Sequence, residues 1–199
     1  MSPAPRPRRT QAERTATTRA ALLAAARALF AEQGFAATTR EDIGRRAGGT
    51  HGALYHHFAS KAAVGAAVVA ELEAELMDHV AAATHRGGNA LDQLRAAAAA
   101  YLDALADPVT ATVLVDVTAA ISGAEGRDAS AACVPLLAAA VRRLEAEGFP
   151  IPGPPEVTAR LVYGMLNEAA FAVATAAPRS PLRRRTRQTV DTALTSLFT

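Results

Sequence analysis

Apolar residues recur along this chain at intervals of three and four, and nowhere in the sustained alternation of a half-buried strand. The first run is Leu22, Leu23, Ala26, Leu29 and Phe30, one apolar stripe on a helix that begins near Thr15 to Thr18. Gly34 predicts its end: with Gly34 in the left-handed conformation, Phe35 folds back onto Phe30 in a Schellman arrangement. Thr38 and Thr39 both suit an N-cap, and Glu41 and Asp42 follow where the helix dipole favours carboxylates. A short second helix therefore runs to about Ala47. Gly48-Gly49 breaks it, and Thr50 caps a third short helix through about His57, with Leu54 and Phe58 turned toward a core. Two short helices joined by a tight glycine turn form a helix-turn-helix unit.

The same period continues through the rest of the chain. Ser60 caps a long helix in which Val64, Val68, Leu72 and Leu76 repeat every four residues, with Glu71, Glu73, Glu75 and Asp78 on the remaining surface. Gly87-Gly88 stops it. Asn89 caps a helix over about 90–106 carrying Leu91, Leu94, Ala98, Tyr101, Leu102 and Leu105, and Asp107-Pro108 reads as a cap and first-turn proline opening another to Ile121. After a glycine-bearing loop at 122–129, a helix reaches Glu147, kinked or begun at Pro135. The segment 148–155 is the clearest linker, rich in Pro and Gly. A helix from Pro155 to Ala177 follows, and Ser180-Pro181 opens the last one. The prediction is an all-α fold of about nine helices: a basic arm at 1–14, a helix-turn-helix domain at 15–60 and a helical body at 61–199.

Composition sharpens this picture in three ways. Half of the 199 residues are apolar, which is enough for a sizeable core, and the dominance of Ala and Leu favours helix. Charge is uneven. Residues 1–61 hold ten Lys or Arg against four Asp or Glu, whereas 62–199 hold eleven against fifteen. A basic head on an acidic body suits contact between the head and a polyanion, a solubilising tail being the plainer alternative. The opening stretch, where prolines alternate with Arg6, Arg8 and Arg9, reads as a disordered arm.

Several classes drop out. A single cysteine, Cys133, permits neither an intrachain disulfide nor a cysteine zinc cluster, and it reads as a small core residue. His51, His56 and His57 share one short helix without converging, so no metal site is expected. No stretch approaches the ~18 apolar residues of a membrane span, and no secretory signal is recognisable, so a cytoplasmic protein is expected. Nucleophile-elbow, phosphate-loop and HExxH motifs are missing from the sequence. No enzyme activity and no cofactor are expected.

The segment from Thr38 to Lys61, above all Gly52-Ala53-Leu54-Tyr55-His56-His57-Phe58-Ala59-Ser60-Lys61, resembles the DNA-binding domain of the TetR family of transcriptional regulators. Gln33-Gly34-Phe35 also fits, as does the plan of about nine helices. Two positions depart from the usual pattern: Gly49 replaces an apolar residue in the turn, and Arg40 a small one. Physical reasoning points the same way. Gly52 and Ala53 let a helix backbone approach the major groove, where Thr50 and His51 are placed to read base edges. Tyr55, His56, His57 and Lys61 suit phosphate contacts, which position without reading sequence. The resemblance implies backbone contacts from Thr39, Tyr55, His57 and Lys61, and Arg40 adds a further DNA contact or points to solvent. The arm offers additional contacts, as in minor-groove binding.

For the body, the resemblance implies ligand binding and dimerisation, and so a repressor that binds a palindromic operator as a homodimer and is released by a small-molecule inducer. Leu161 and Met165 on one helix, with Val190, Leu194 and Leu197 on the last, are the expected dimer stripe, the alternative being that they pack within their own subunit. Expected ligand contacts are Leu72, Leu76, Tyr101, Leu105, Leu114, Val117, Tyr163, Asn167 and Phe171. Tyr101 and Asn167 stand out, because a buried polar group needs a partner.

Overall fold

The computed structural model describes residues 10–48, 54, 56–85, 87–121, 128–177 and 180–199. Among them are eight helices and no strand: α1 (Gln11–Ala37), α2 (Arg40–Arg46), α3 (Lys61–Thr84), α4 (Ala90–Ala104), α5 (Pro108–Ile121), α6 (Asp128–Ala146), α7 (Pro155–Thr175) and α8 (Pro181–Leu197). Thr50, His51, Gly52, Tyr55 and the arm through Arg9 lie outside the described residues. Of the predicted third short helix, Leu54, His56 and His57 are helical, and the Phe58 N–H closes a turn on the Leu54 carbonyl at 2.9 Å.

Most boundaries follow from caps. Thr39, Ser60, Asn89 and Ser180 each accept a backbone N–H at the start of the helix they precede. Asp107 accepts the Thr110 N–H at 3.0 Å and opens α5. Helix α1 begins earlier than its apolar stripe suggests. Thr10 Oγ1 accepts the Glu13 N–H at 3.2 Å while the Glu13 carboxylate accepts the Thr10 N–H at 2.8 Å, a complete capping box. Residues 11–14, expected in the arm, are thus helical, on exposed turns that apolar periodicity does not register. Helix α6 runs unbroken from Asp128, with Pro135 inside it rather than at its start.

Gly34 departs from expectation in its backbone angles. Its φ of 83° comes with a ψ of 161°, a region open essentially to glycine alone and distinct from the left-handed helical cap. The expected aromatic contact forms, with Phe30 and Phe35 ring centroids 5.1 Å apart. The chain resumes helical geometry to Ala37.

Two apolar cores result. The head core gathers Leu22, Leu23, Leu29, Phe30 and Phe35 from α1, Ile43 from α2, Leu54 and Phe58, and Val64, Val68 and Leu72 from α3. Val113 and Val117 of α5 complete it, so a body helix fills the base of the head. The body core gathers Leu91, Leu94 and Leu102 of α4, Val141 and Leu144 of α6, Val162, Leu166 and Val173 of α7, and Val190, Leu194 and Phe198 at the C-terminal end. Leu114 packs partly against both. Helix α3 spans the two regions, packing on α1 and α5 and, along its length, on α4.

Candidate functional site

The head is held together by polar clasps around its short helices. Thr39 and Asp42 cap α2 reciprocally, and these hydrogen bonds, with Arg45 nearby, hold the Asp42 carboxyl below its usual value. Arg46 pairs with Glu32 of α1 across a 2.7 Å hydrogen bond, and Arg45 lies 3.1 Å from Asp42. Arg19 of α1 sits over the Phe58 ring, 5.3 Å from its centroid.

Two candidate DNA contacts are engaged inside the protein. The Arg40 guanidinium donates to the Ala59 carbonyl at 2.9 Å, tying α2 to the turn before α3. Lys61 Nζ donates to the Phe35 and Ala36 carbonyls at 2.9 and 3.1 Å and lies 4.6 Å from the Phe35 ring centroid. An ammonium at carbonyls near a helix end is a favourable charge-dipole arrangement. It commits two of the three ammonium hydrogens, leaving one for a phosphate. His56 is exposed, and its ring meets that of half-buried His57 edge-on at 5.7 Å.

The junction between head and body is tight. Asp116 of α5 accepts the Phe35 N–H at 2.5 Å, directly after the Gly34 break. A methyl group at Gly65 would lie 2.8 Å from Phe35 Cε2 and 2.9 Å from Val117 Cγ1, so α3 approaches the junction as closely as glycine permits. Sequence reading missed both residues. Neither belongs to a motif, and only the packing brings them together.

Between α3, α4, α6 and α7 lies a cavity of about 420 Å³. Tyr101, Tyr163 and Asn167, three of the candidate ligand contacts, line it. The Tyr101 hydroxyl donates to Asn167 Oδ1 at 3.2 Å. Burial first, then the neighbouring Tyr163, Cys133 and Glu73, pushes the Tyr101 hydroxyl up to about 12, so it remains a donor. Burial also raises the Glu73 carboxyl. The cavity takes its remaining described walls from residues not anticipated, among them Met77, Val80, Ala97, Leu137, Ala140 and Arg143. Alanine runs at 96–100 and 138–140 were the available signal, since facing small side chains leave space.

The other expected ligand contacts lie elsewhere. Leu72 and Val117 belong to the head core and Leu105 to the body core, Leu114 sits between the two cores, and Leu76 is buried away from the cavity wall. Phe171 is 52% exposed. It lies one turn beyond Asn167, about 40° farther round the helix from the cavity face that Tyr163 and Asn167 share.

The family model for bacterial regulatory proteins of the tetR family matches residues 22–68, and that for the tetracyclin repressor-like C-terminal domain matches residues 91–198. The chain belongs to the TetR family. A TetR-family transcriptional regulator from Pectobacterium atrosepticum shares its fold over 96% of this chain and 98% of that one, with a TM-score of 0.81 and 31% identity. SmeT, the repressor of the Stenotrophomonas maltophilia multidrug efflux pump SmeDEF, aligns over 92% and 93% with a TM-score of 0.74 and 25% identity. SmeT is also known in complex with triclosan, a structure that aligns at a TM-score of 0.71. The HTH-type transcriptional repressor KstR2 of Mycobacterium tuberculosis is 58% identical over 43 residues. That match spans 22% of this chain and 22% of KstR2.

The outward face of this TetR-family body differs from the stripe expected. Val190 and Leu194 are buried in their own body core, because α8 turns them onto α4 and α7. Met165 and Leu197 pack partly against the same core. Leu161 is 64% exposed, and Val157 and Phe171 join it on one exposed stripe of α7, with Leu182 exposed at the start of α8. No single helix among the described residues is long and apolar enough to cross a membrane.

Proposed function

We propose that this protein is a cytoplasmic, non-enzymatic transcriptional repressor that binds a palindromic operator as a homodimer and releases it when a small molecule fills the body cavity. The observation that carries the reading is helix α3. Its first turns, at Val64 and Val68, are built into the head core, and its later turns, at Met77 and Val80, form a cavity wall. A ligand that displaces one end of a rigid helix moves the other. It weakens DNA binding only to the extent that it prefers the head spacing that does not fit the operator, by typically ~1–3 kcal/mol of coupling. The name of SmeT and its complex with triclosan support both halves of the proposal by kinship.

On DNA, Thr50 and His51 read bases while Thr39, Tyr55, His56, His57 and the remaining Lys61 hydrogen grip phosphates. The backbone of Gly52 approaches the groove. Arg40 acts through the Ala59 clasp, holding the recognition region in place. Two chains associate through the exposed stripe Val157, Leu161 and Phe171 of α7 together with Leu182, because such a patch on both copies is self-complementary across a twofold axis.

The test is a titration of labelled duplex DNA at several salt concentrations, paired with sedimentation of the free protein. A dimer is expected whose log affinity falls linearly with log salt, since each phosphate contact releases counterions. Tyr55→Phe should weaken binding to all duplexes alike, and Leu161→Glu should yield monomers that bind poorly. A monomeric wild-type chain, or affinity indifferent to salt, would overturn the proposal.

A further inference from the structure

Tyr101, Tyr163 and Asn167 bring polar groups to the cavity, with Thr84, Gln93 and Arg143 also in its lining. The Tyr101 phenol has a single hydrogen, and it goes to Asn167 Oδ1. That bond uses the amide oxygen and leaves both Asn167 Nδ2 hydrogens to other partners. Among the described residues, neither Asn167 Nδ2 nor the Tyr163 hydroxyl is given to a protein acceptor. Tyr163 and Asn167 are four residues apart on α7 and both line the cavity. One turn of α7 therefore brings to the cavity the Asn167 amide hydrogens and a Tyr163 hydroxyl able to donate, neither spent on a protein acceptor among the described residues.

The charges nearby disfavour an anion there. Glu73 precedes Met77 by one turn of α3, on the side of the helix that carries the cavity-lining Met77, Val80 and Thr84. Its carboxylate lies close enough to act on both Tyr101 and Cys133. The one charged side chain in the described lining is Arg143, whose side chain is 59% exposed and 3.8 Å from Glu147. An anion would find its countercharge in water at the mouth, already shared with a carboxylate. The rest of the wall is mainly Leu, Met, Val and Ala, with Thr84, Gln93 and Cys133 among them, and about 420 Å³ lies toward the small end of ligand sites, which run from about 300 to 1,000 Å³.

Building on the repressor reading above, we infer that the effector is a small, neutral, mainly apolar molecule that buries a carbonyl-type hydrogen-bond acceptor against Asn167 and Tyr163. A carbonyl oxygen has two lone pairs, enough to take one hydrogen from each residue. A carboxylate of the same skeleton would bring its charge toward Tyr101, beside which the Glu73 carboxylate acts.

The experiment uses shape-matched pairs on the full chain, measured by calorimetry: 4-acetylbiphenyl against biphenyl-4-carboxylate, and undecan-2-one against undecanoate. The inference predicts that each ketone binds at least about tenfold more tightly than its carboxylate partner. Asn167→Leu and Tyr163→Phe should each weaken the ketone about tenfold, the scale of one buried hydrogen bond. Unfolding temperatures near that of the wild type establish that the variants fold. Tighter binding of the carboxylates, or their loss in Arg143→Gln, would replace the neutral class with an anionic one. Ketone binding indifferent to both α7 substitutions would place the acceptor elsewhere and overturn the inference. If no member of either pair binds, while selected duplex DNA does, the ligand-release half of the proposed function fails and DNA binding stands.

Discussion

The two cores of this protein are filled differently. Around the head, large side chains meet one another: Phe30, Leu22, Leu23, Ile43, Leu54 and Leu72 are all nearly inaccessible, and the α3 backbone presses so near that only glycine fits at Gly65. In the body, α4 and α6 face the cavity with alanines, Ala97 and Ala98 on one side and Ala139 and Ala140 on the other. The short side chains at these positions leave space that larger ones would fill. Close packing stabilises and transmits displacement, because a packed core shifts as a unit. An open space sacrifices contact energy and is worth keeping only where something is to fill it. The head is packed tightly and the body is left open, with α3 common to both.

Truncation in the packed core gives the strongest way to sharpen that contrast. Phe30→Ala should destabilise the chain by about 3–5 kcal/mol, read as a lowered midpoint in denaturant. Enlargement then separates the two regions by sign. Gly65→Ala forces a methyl group against Phe35 and Val117 and should cost about 1–3 kcal/mol. Ala140→Leu places a larger side chain in open space and should leave stability unchanged or raise it by about 0.5–2 kcal/mol, while abolishing ligand binding. If Ala140→Leu were as harmful as Gly65→Ala, the body would be as tightly packed as the head and the comparison would break.

The smallest effect concerns charge. Burial holds the folded-state Glu73 carboxyl above its ordinary value, so the folded chain keeps that proton more tightly than the unfolded one. Ionised Glu73 therefore opposes folding above the raised value. That penalty fades as pH falls through it and is gone below the ordinary value of about 4.3. Glu73→Gln should give a slightly higher unfolding temperature at pH 7 and no advantage at pH 3.

The helical plan was legible because caps and periodicity are local. Ser60, Asn89, Asp107 and Ser180 opened helices where their side chains dictated, and the stretch ending in Lys61 carried enough residues at fixed spacing to identify the head. The start of α1 was hidden from periodicity, since Thr10 and Glu13 act on exposed turns, although their capping box was present in the sequence. Other features were not local at all. Periodicity shows that Val190 and Leu194 share a stripe, but not that the stripe lies against α4 and α7 rather than a second copy. The cavity depends on which alanines of α4 and α6 face each other, and nothing in the sequence places the Lys61 amine on the carbonyls at the end of α1. Asp116 and Gly65 act only through contacts made in the folded chain.

The central claim, a sequence-reading dimer, is tested most directly by selecting bound duplexes from a random library with the purified protein at moderate salt. Enrichment of a palindrome is expected, its half-sites separated as two heads on one twofold axis require. Salt-sensitive binding with no enriched sequence would contradict it.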